Sequence, residues 1–171
     1  VDVLVVKDDS APQRGPETHF LLANAVPPPG GEWARRRTLP ASALDAAPLE
    51  GIEIVLLADV SSLADATWEK LGAYVREGGN LWIVVGPRTS PSNLASAAAL
   101  VPMVPRRAQR LAEPVSLAAA REDEPMLAAF EDERNPSLST ARVRFRLDVE
   151  RVASAARPVL RFSDGAAAAA V

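Results

Sequence analysis

Three stretches dominated by apolar residues stand out along the chain. They are Val1–Val6, Gly51–Val60 and Leu81–Val85, and each is followed by polar or glycine-containing sequence. A strand without regular polar alternation is typical of a parallel sheet, in which both faces are covered. These stretches therefore predict three buried, parallel strands.

Helical periodicity separates the second and third of these strands. Asp65 begins a segment in which Trp68, Leu71 and Val75 recur three and four residues apart, until Gly78-Gly79 ends it. A strand, a helix and a strand in this order predict a right-handed crossover between parallel strands. Proline near a start and suitable stop residues predict two more helices, Pro16–Ala25 and Pro91–Leu100.

The pattern changes after Pro102, where prolines punctuate polar loops. Arg142–Glu150 alternates apolar and polar positions, which is typical of a half-buried antiparallel strand. Pro158–Phe162 followed by Ser163-Asp164-Gly165 predicts a strand that enters a hairpin. Between them, Pro125–Phe130 predicts a short helical turn.

Together these elements predict an α/β fold in one domain over residues 1–171. We expect a doubly wound, mainly parallel sheet flanked by helices, with a C-terminal antiparallel β extension. A short additional strand is predicted at Trp33–Leu39. Because the chain begins with Val1 and its last hairpin points past the end, we expect a fragment of a larger protein. The conformation of the alanine tract Ala166–Ala170 stays open.

Composition excludes several kinds of site. The 171 residues include no cysteine and one histidine, which excludes disulfides, thiolate metal sites and zinc sites built from several histidines. The net charge of −3 gives no general reason to expect a nucleic-acid partner. No apolar run approaches the ~18 residues that a membrane-spanning helix needs.

Polar residues follow the predicted strands at their carboxyl ends, where open parallel sheets bind ligands. Asp8 and Asp9 follow the first strand, Asp59 ends the second, and Arg88 follows the third. These four residues form a candidate crevice for a small ligand or metal. A response-regulator receiver would also place an acidic pair and a phosphorylated Asp here, but it requires a later lysine, and none follows Lys70. The competing interpretation is that the buried carboxylates accept hydrogen bonds from their own loops.

Residues 51–90 carry a further pattern. A strand, a polar turn and a helix lead to Tyr74-Val75-Arg76-Glu77-Gly78-Gly79-Asn80-Leu81 and another strand that ends in glycine. This pattern resembles the class I glutamine amidotransferase-like, flavodoxin-like domains. It is most similar to the non-catalytic version in large bacterial membrane proteins that also carry a Bat-type amino-terminal region and a von Willebrand factor A domain. Two downstream stretches share the resemblance, Asp123–Leu127 and Arg134–Ser139.

The resemblance implies an interaction or assembly module within a larger membrane-associated protein. Such a protein would lie at the cell envelope, tethered by segments outside this chain, and the side of the membrane stays open. The implied partners are other proteins or neighbouring domains of the same chain, with no nucleic acid and no cofactor.

The resemblance also bears on catalysis. Catalytic amidotransferases need a cysteine on a sharp strand-to-helix turn, activated by a later histidine with an acidic partner. The corresponding turn here, Val85–Ser90, has no cysteine, and the only histidine, His19, precedes it. We therefore predict no catalytic residue and no enzyme activity. The remaining catalytic alternative is a hydrolase that uses Ser10, Ser61 or Ser90.

Two further sets of side chains have structural interpretations. The tryptophans are predicted to pack in the interior, with Trp68 on the apolar helix face and Trp82 inside a buried strand. The arginines concentrate in two groups, Arg106-Arg107-Arg110 and Arg142-Arg144-Arg146. These groups could bind an anionic partner, but a solvated face with local carboxylate pairing is favoured.

Overall fold

The computed structural model describes most of the chain, in four ranges. The predicted helix Pro16–Ala25 and the single histidine, His19, lie outside the described residues, as does Trp33. The described ranges are residues 1–11, 34–121, 124–130 and 137–171. No helix within these ranges is long and apolar enough to cross a membrane.

The chain divides into two compact units, Val1–Ala97 and Ala98–Val171. The assignment of all 171 residues to one domain stays a prediction.

The first unit is built around a four-stranded sheet in the order β2-β1-β3-β4. Every neighbouring pair of strands is parallel, so the four carboxyl ends lie at one edge of the sheet. The three apolar stretches form β1, β3 and β4, as predicted, and β2 lies close to the strand predicted at Trp33–Leu39. The bounds are β1 Asp2–Lys7, β2 Arg35–Pro40, β3 Ile54–Ala58 and β4 Asn80–Val84.

Two α-helices follow β3 and β4. Helix α1 (Asp65–Arg76) confirms the predicted helix, with an acidic residue in its first turn and a basic residue in its last, both favourable to the helix dipole. Gly78, at φ +98°, adopts a positive-φ conformation just after the end of this helix. Helix α2 (Pro91–Ser96) begins where predicted but is shorter, and the Ser90 side chain caps it by accepting from the Asn93 amide.

The core of the first unit lies on both faces of β1 and β3. Val3 and Leu4 point to opposite faces and are both almost completely buried, which confirms that these strands are covered on two sides. On one face, Leu57 lines a small cavity together with Trp68 of α1 and Leu94 of α2. On the other, Val3 packs in a buried cluster with Val5, Ala34, Leu56 and Ala58.

Strand β4 departs from the prediction of a third buried strand. It is the last strand of the described sheet, and Trp82 is 49% exposed although its register partner Leu56 is 2% exposed. The prediction that Trp82 packs in the interior is therefore wrong, whereas Trp68 is 6% exposed as expected. An apolar run indicates that a segment forms a strand, but it does not indicate whether that strand lies at the centre or the edge of a sheet.

The second unit contains two antiparallel sheets. One pairs β5 (Met103–Val115) with β7 (Val143–Val152), and the other has the order β6-β8-β9. Gly165, at φ +89°, forms the predicted hairpin between β8 and β9, so the alanine tract is an extended strand. The remaining bounds are β6 Leu117–Ala119, β8 Pro158–Phe162 and β9 Ala167–Ala170.

The predicted fold class is wrong in its architecture. The described residues hold a parallel sheet, two antiparallel sheets and only two α-helices, and they do not form a doubly wound α/β fold flanked by helices. A further departure is β5, which runs through Pro105 and Pro114 where the sequence predicted loops. Register shifts next to Pro105 and between Arg110 and Val115 accommodate these residues, because proline cannot donate to the ladder.

Candidate functional site

Asp8 lies directly after β1 and is 3% exposed. Its Oδ1 accepts hydrogen bonds from the Ser10 amide at 2.9 Å and from the Ser10 hydroxyl, and its Oδ2 accepts from the Ser61 amide at 2.7 Å. Burial raises the pKa of Asp8, but the hydrogen bonds from Ser10 and Ser61 outweigh burial and hold that pKa well below its ordinary value. The carboxylate is therefore charged, buried and fully engaged by two loops.

Asp9 lies beside Asp8 but is exposed and serves a different loop. It accepts from the Ser42 amide at 3.2 Å and from the Ser42 hydroxyl at 2.7 Å. Ser42 belongs to the short 3₁₀ turn Ala41–Ala43 that follows β2. Asp9 thus joins the carboxyl ends of β1 and β2.

Asp59 follows β3 and is the only non-glycine residue at positive φ in the described part of the chain, at +51°. It is 2% exposed, and its Oδ1 accepts from the Arg88 amide at 2.9 Å, the Thr89 amide at 3.0 Å and the Thr89 hydroxyl at 3.0 Å. Its Oδ2 forms an ion pair with Arg88 Nη1 at 3.3 Å. Asparagine and aspartate tolerate this left-handed conformation better than other side chains. This backbone conformation places the Asp59 carboxylate against the loop after β4.

Gly86 allows that loop to approach Asp59. A Cβ atom at position 86 would lie 2.5 Å from Asp59 Cγ, which leaves no room for a side chain. The Gly86 amide donates to Thr89 Oγ1 at 3.0 Å, and Thr89 is itself 5% exposed. Asp59, Gly86 and Thr89 therefore form one closed, hydrogen-bonded unit.

The structure brings the four predicted crevice residues to one edge of the sheet, but not into one cluster. Asp8 and Asp59 are linked only indirectly, through the loop that contains Ser61. The same Ser61 accepts from the Ser90 amide at 3.2 Å through its carbonyl oxygen, which ties the β3 loop to the β4 loop. The described residues contain no group of three or more acidic, histidine or cysteine side chains placed to hold a metal ion.

Sequence reasoning missed the partners of these carboxylates. Ser42 and Thr89 supply hydroxyl donors, and Asn93 accepts from the Leu63 amide at 2.9 Å and from Trp68 Nε1 at 3.3 Å. The available signal was a serine, threonine or asparagine after a predicted strand, where such side chains commonly bond nearby backbone. That signal identifies the residue type but not its partner on another loop.

Two of the three serines proposed as nucleophiles, Ser10 and Ser90, are engaged structurally. The Ser10 hydroxyl donates to Asp8, and the Ser90 hydroxyl oxygen accepts from the Asn93 amide at the start of α2. A serine nucleophile requires an adjacent general base. The acidic partner of the Ser10 hydroxyl, Asp8, is the anionic acceptor of an internal network and is held in that charge state by its hydrogen bonds.

Comparison with known proteins identifies a similar fold. No protein-family model and no curated protein sequence matches the chain. Among solved structures, a ThuA-like protein from Bacteroides uniformis aligns over 95% of this chain and 67% of its own length, with a TM-score of 0.61 and 12% sequence identity. That neighbour has a class I glutamine amidotransferase-like fold, and the likeness shows similarity of fold alone. A β-galactosidase from Bifidobacterium adolescentis also aligns, over 99% of this chain and 83% of its own, with 16% identity and a TM-score of 0.39, too low to support any argument.

The amidotransferase-like resemblance stated from the sequence is thus supported in part, by one structural neighbour of that fold. At 12% identity the likeness carries no information about activity, substrate or partners. The narrower resemblance to Bat-type and von Willebrand factor A membrane proteins is not part of what the comparison shows, and it stays a prediction.

Proposed function

We propose that this chain is a non-enzymatic, amidotransferase-like module that serves interaction or assembly within a larger, membrane-associated bacterial protein. The observation that carries the non-enzymatic part is the occupation of the turn after β4. An acyl-transfer site needs backbone amides free to stabilise an oxyanion. Here the Arg88 and Thr89 amides both donate to the buried Asp59 carboxylate.

The chemistry of this turn supports the same proposal. A negatively charged carboxylate stands where an oxyanion would have to develop, and two anions there would repel each other. The chain also lacks the cysteine on which catalytic members of the fold depend. The carboxyl edge is therefore a loop-stabilising network.

A glutaminase assay on the whole chain tests the non-enzymatic proposal. We expect no release of glutamate or ammonia from glutamine, and no labelling of Ser10, Ser61 or Ser90 by a fluorophosphonate probe. A Ser61→Ala variant is the matched control, because a signal that persists in it and in the corresponding variants at Ser10 and Ser90 comes from a contaminant. Turnover or labelling that one of these substitutions abolishes would contradict the proposal.

Membrane association rests on the sequence resemblance and has a separate test. Cells that express the epitope-tagged protein from its own locus should retain it in the membrane fraction after alkaline extraction. Release into the supernatant would remove the membrane part of the proposal and leave the non-enzymatic part unaffected.

The alternative function, a small-ligand or metal sensor in the crevice of Asp8, Asp9, Asp59 and Arg88, has less support. The carboxylate oxygens that would bind a cation already accept hydrogen bonds from five residues. A cation would have to displace these donors, whose loss costs about 1–3 kcal/mol each when they stay buried. Addition of Mg²⁺ should therefore leave the melting temperature unchanged, and a rise that Asp59→Asn abolishes would favour the sensor.

A further inference from the structure

Four arginines line a groove in the second unit. Its volume is ≈ 480 Å³, within the range of ~300–1,000 Å³ that is typical of small-molecule sites. Strand β5 contributes Arg106 and Arg107, β7 contributes Arg146, and β8 contributes Arg161. The acidic residues of the lining are Asp148 and Glu150, and Asp164 pairs with Arg146, so four positive charges face three negative charges.

Two of the arginines are held in place by neighbouring side chains. Arg146 donates to Asp148 at 3.3 Å and to Asp164 at 2.6 Å, and its guanidinium lies 5.3 Å from the centre of the Phe162 ring. Arg107 donates to the other oxygen of Asp148 at 3.0 Å. These contacts orient the two guanidinium groups before any ligand arrives, which lowers the entropic cost of binding.

The other two arginines keep unused donors. Arg161 donates through one nitrogen to the Gly165 carbonyl at 3.1 Å. The Arg106 side chain is exposed, and it forms no hydrogen bond or ion pair with any residue that the structure describes. Each guanidinium carries five N–H groups, so most of the donors on these two residues are available to a ligand in the groove.

We propose that this groove binds a small phosphate-bearing molecule, with Arg106 and Arg161 as the principal ligands of the phosphate. The planar fork of a guanidinium matches the oxygens of a phosphate in a two-point contact. The net positive charge of the groove favours an anion. The proposal concerns the second unit alone and does not depend on the proposed function, because the glutaminase result leaves it unchanged.

Isothermal titration of inorganic pyrophosphate into the whole chain tests this inference. Arg106→Gln and Arg161→Gln should each weaken binding about tenfold, as expected for the loss of a charge-assisted hydrogen bond. Both side chains are exposed, and thermal melts should confirm that the variants remain folded. Arg110→Gln is the matched control, since it removes the same charge from β5 but Arg110 does not line the groove.

Three outcomes would overturn the proposal. The first is the absence of binding heat with the unaltered chain. The second is an equal loss of affinity in Arg110→Gln, which would mean that pyrophosphate responds only to diffuse positive charge. The third is binding of malonate as tight as that of pyrophosphate, which would show recognition of any small anion and not of phosphate.

Discussion

Replacement of Asp59 by alanine should destabilise the first unit strongly. The substitution removes an anionic acceptor that is 2% exposed and leaves the Arg88 and Thr89 amides and the Thr89 hydroxyl without their partner. It also leaves residue 59 at φ +51°, a conformation that alanine adopts at a cost of about 1 kcal/mol. Asparagine at the same position would retain one acceptor oxygen and would tolerate the turn.

The expected cost follows from these contacts. Breaking a buried, hydrogen-bonded ion pair by removing one partner costs about 3–5 kcal/mol, and the three hydrogen bonds to one carboxylate are not additive. Arg88 is partly exposed, so water compensates some of its loss. We therefore expect about 4 kcal/mol for Asp59→Ala and about 1–2 kcal/mol for Asp59→Asn. Asp9→Ala removes an exposed carboxylate that, among the described residues, is bonded only to Ser42, and it should cost about 1 kcal/mol or less.

Urea unfolding followed by tryptophan fluorescence and far-ultraviolet circular dichroism measures these differences in the free energy of unfolding. The expected order of destabilisation is Asp59→Ala, then Asp59→Asn, then Asp9→Ala. An Asp59→Ala variant as stable as the unaltered chain would refute the reasoning. It would mean that the carboxylate does not stabilise the β4 loop, and carboxylates retained against stability are typical of functional sites.

Four further substitutions test other parts of the fold. Gly79→Ala should cost about 2–3 kcal/mol through overpacking, because its Cβ would lie 2.2 Å from the buried Tyr74 ring. In the control Gly78→Ala, the new Cβ meets no atom within 4 Å, so the cost should be about 1 kcal/mol. Equal urea midpoints for the two variants would contradict the overpacking. Because the pKa of Asp8 is lowered in the folded state, its carboxylate stabilises the fold above the ordinary aspartate pKa of about 3.9, and this stabilisation is lost as the pH falls below that value. Asp8→Asn should therefore make the free energy of unfolding less dependent on pH in acid. An unchanged pH dependence would contradict this role of Asp8. Trp82→Ala should cost only about 1 kcal/mol in thermal melts, since the side chain is 49% exposed, and a loss typical of a buried tryptophan, about 3–5 kcal/mol, would place β4 in the interior.

The elements that sequence reasoning predicted well are those with a strong local pattern. The strands β1 and β3 and the helix α1 lie where their apolar residues placed them. The four crevice residues also lie after strand ends, as predicted, because the local sequence determines where a strand ends. They are Asp8, Asp9, Asp59 and Arg88. The absence of cysteine is likewise a fact of composition.

The partners of these residues were decided only in three dimensions. Asp8 bonds Ser61, 53 positions away, and Asp59 bonds Thr89, 30 positions away. The long strand β5 escaped prediction because its prolines disturb the alternation, and only its pairing with β7 makes it a strand. The arginine groove likewise combines side chains of β5, β7 and β8.

The sequence by itself therefore determined which segments are apolar, where the main helix begins and ends, and which catalytic groups the chain lacks. Only the tertiary structure decided that β4 lies at an edge, that the carboxylates stabilise loops, and that four arginines share one groove. The physical reason is that backbone geometry links side-chain direction to spacing along one segment. Pairing between segments depends instead on register and packing that no single segment encodes.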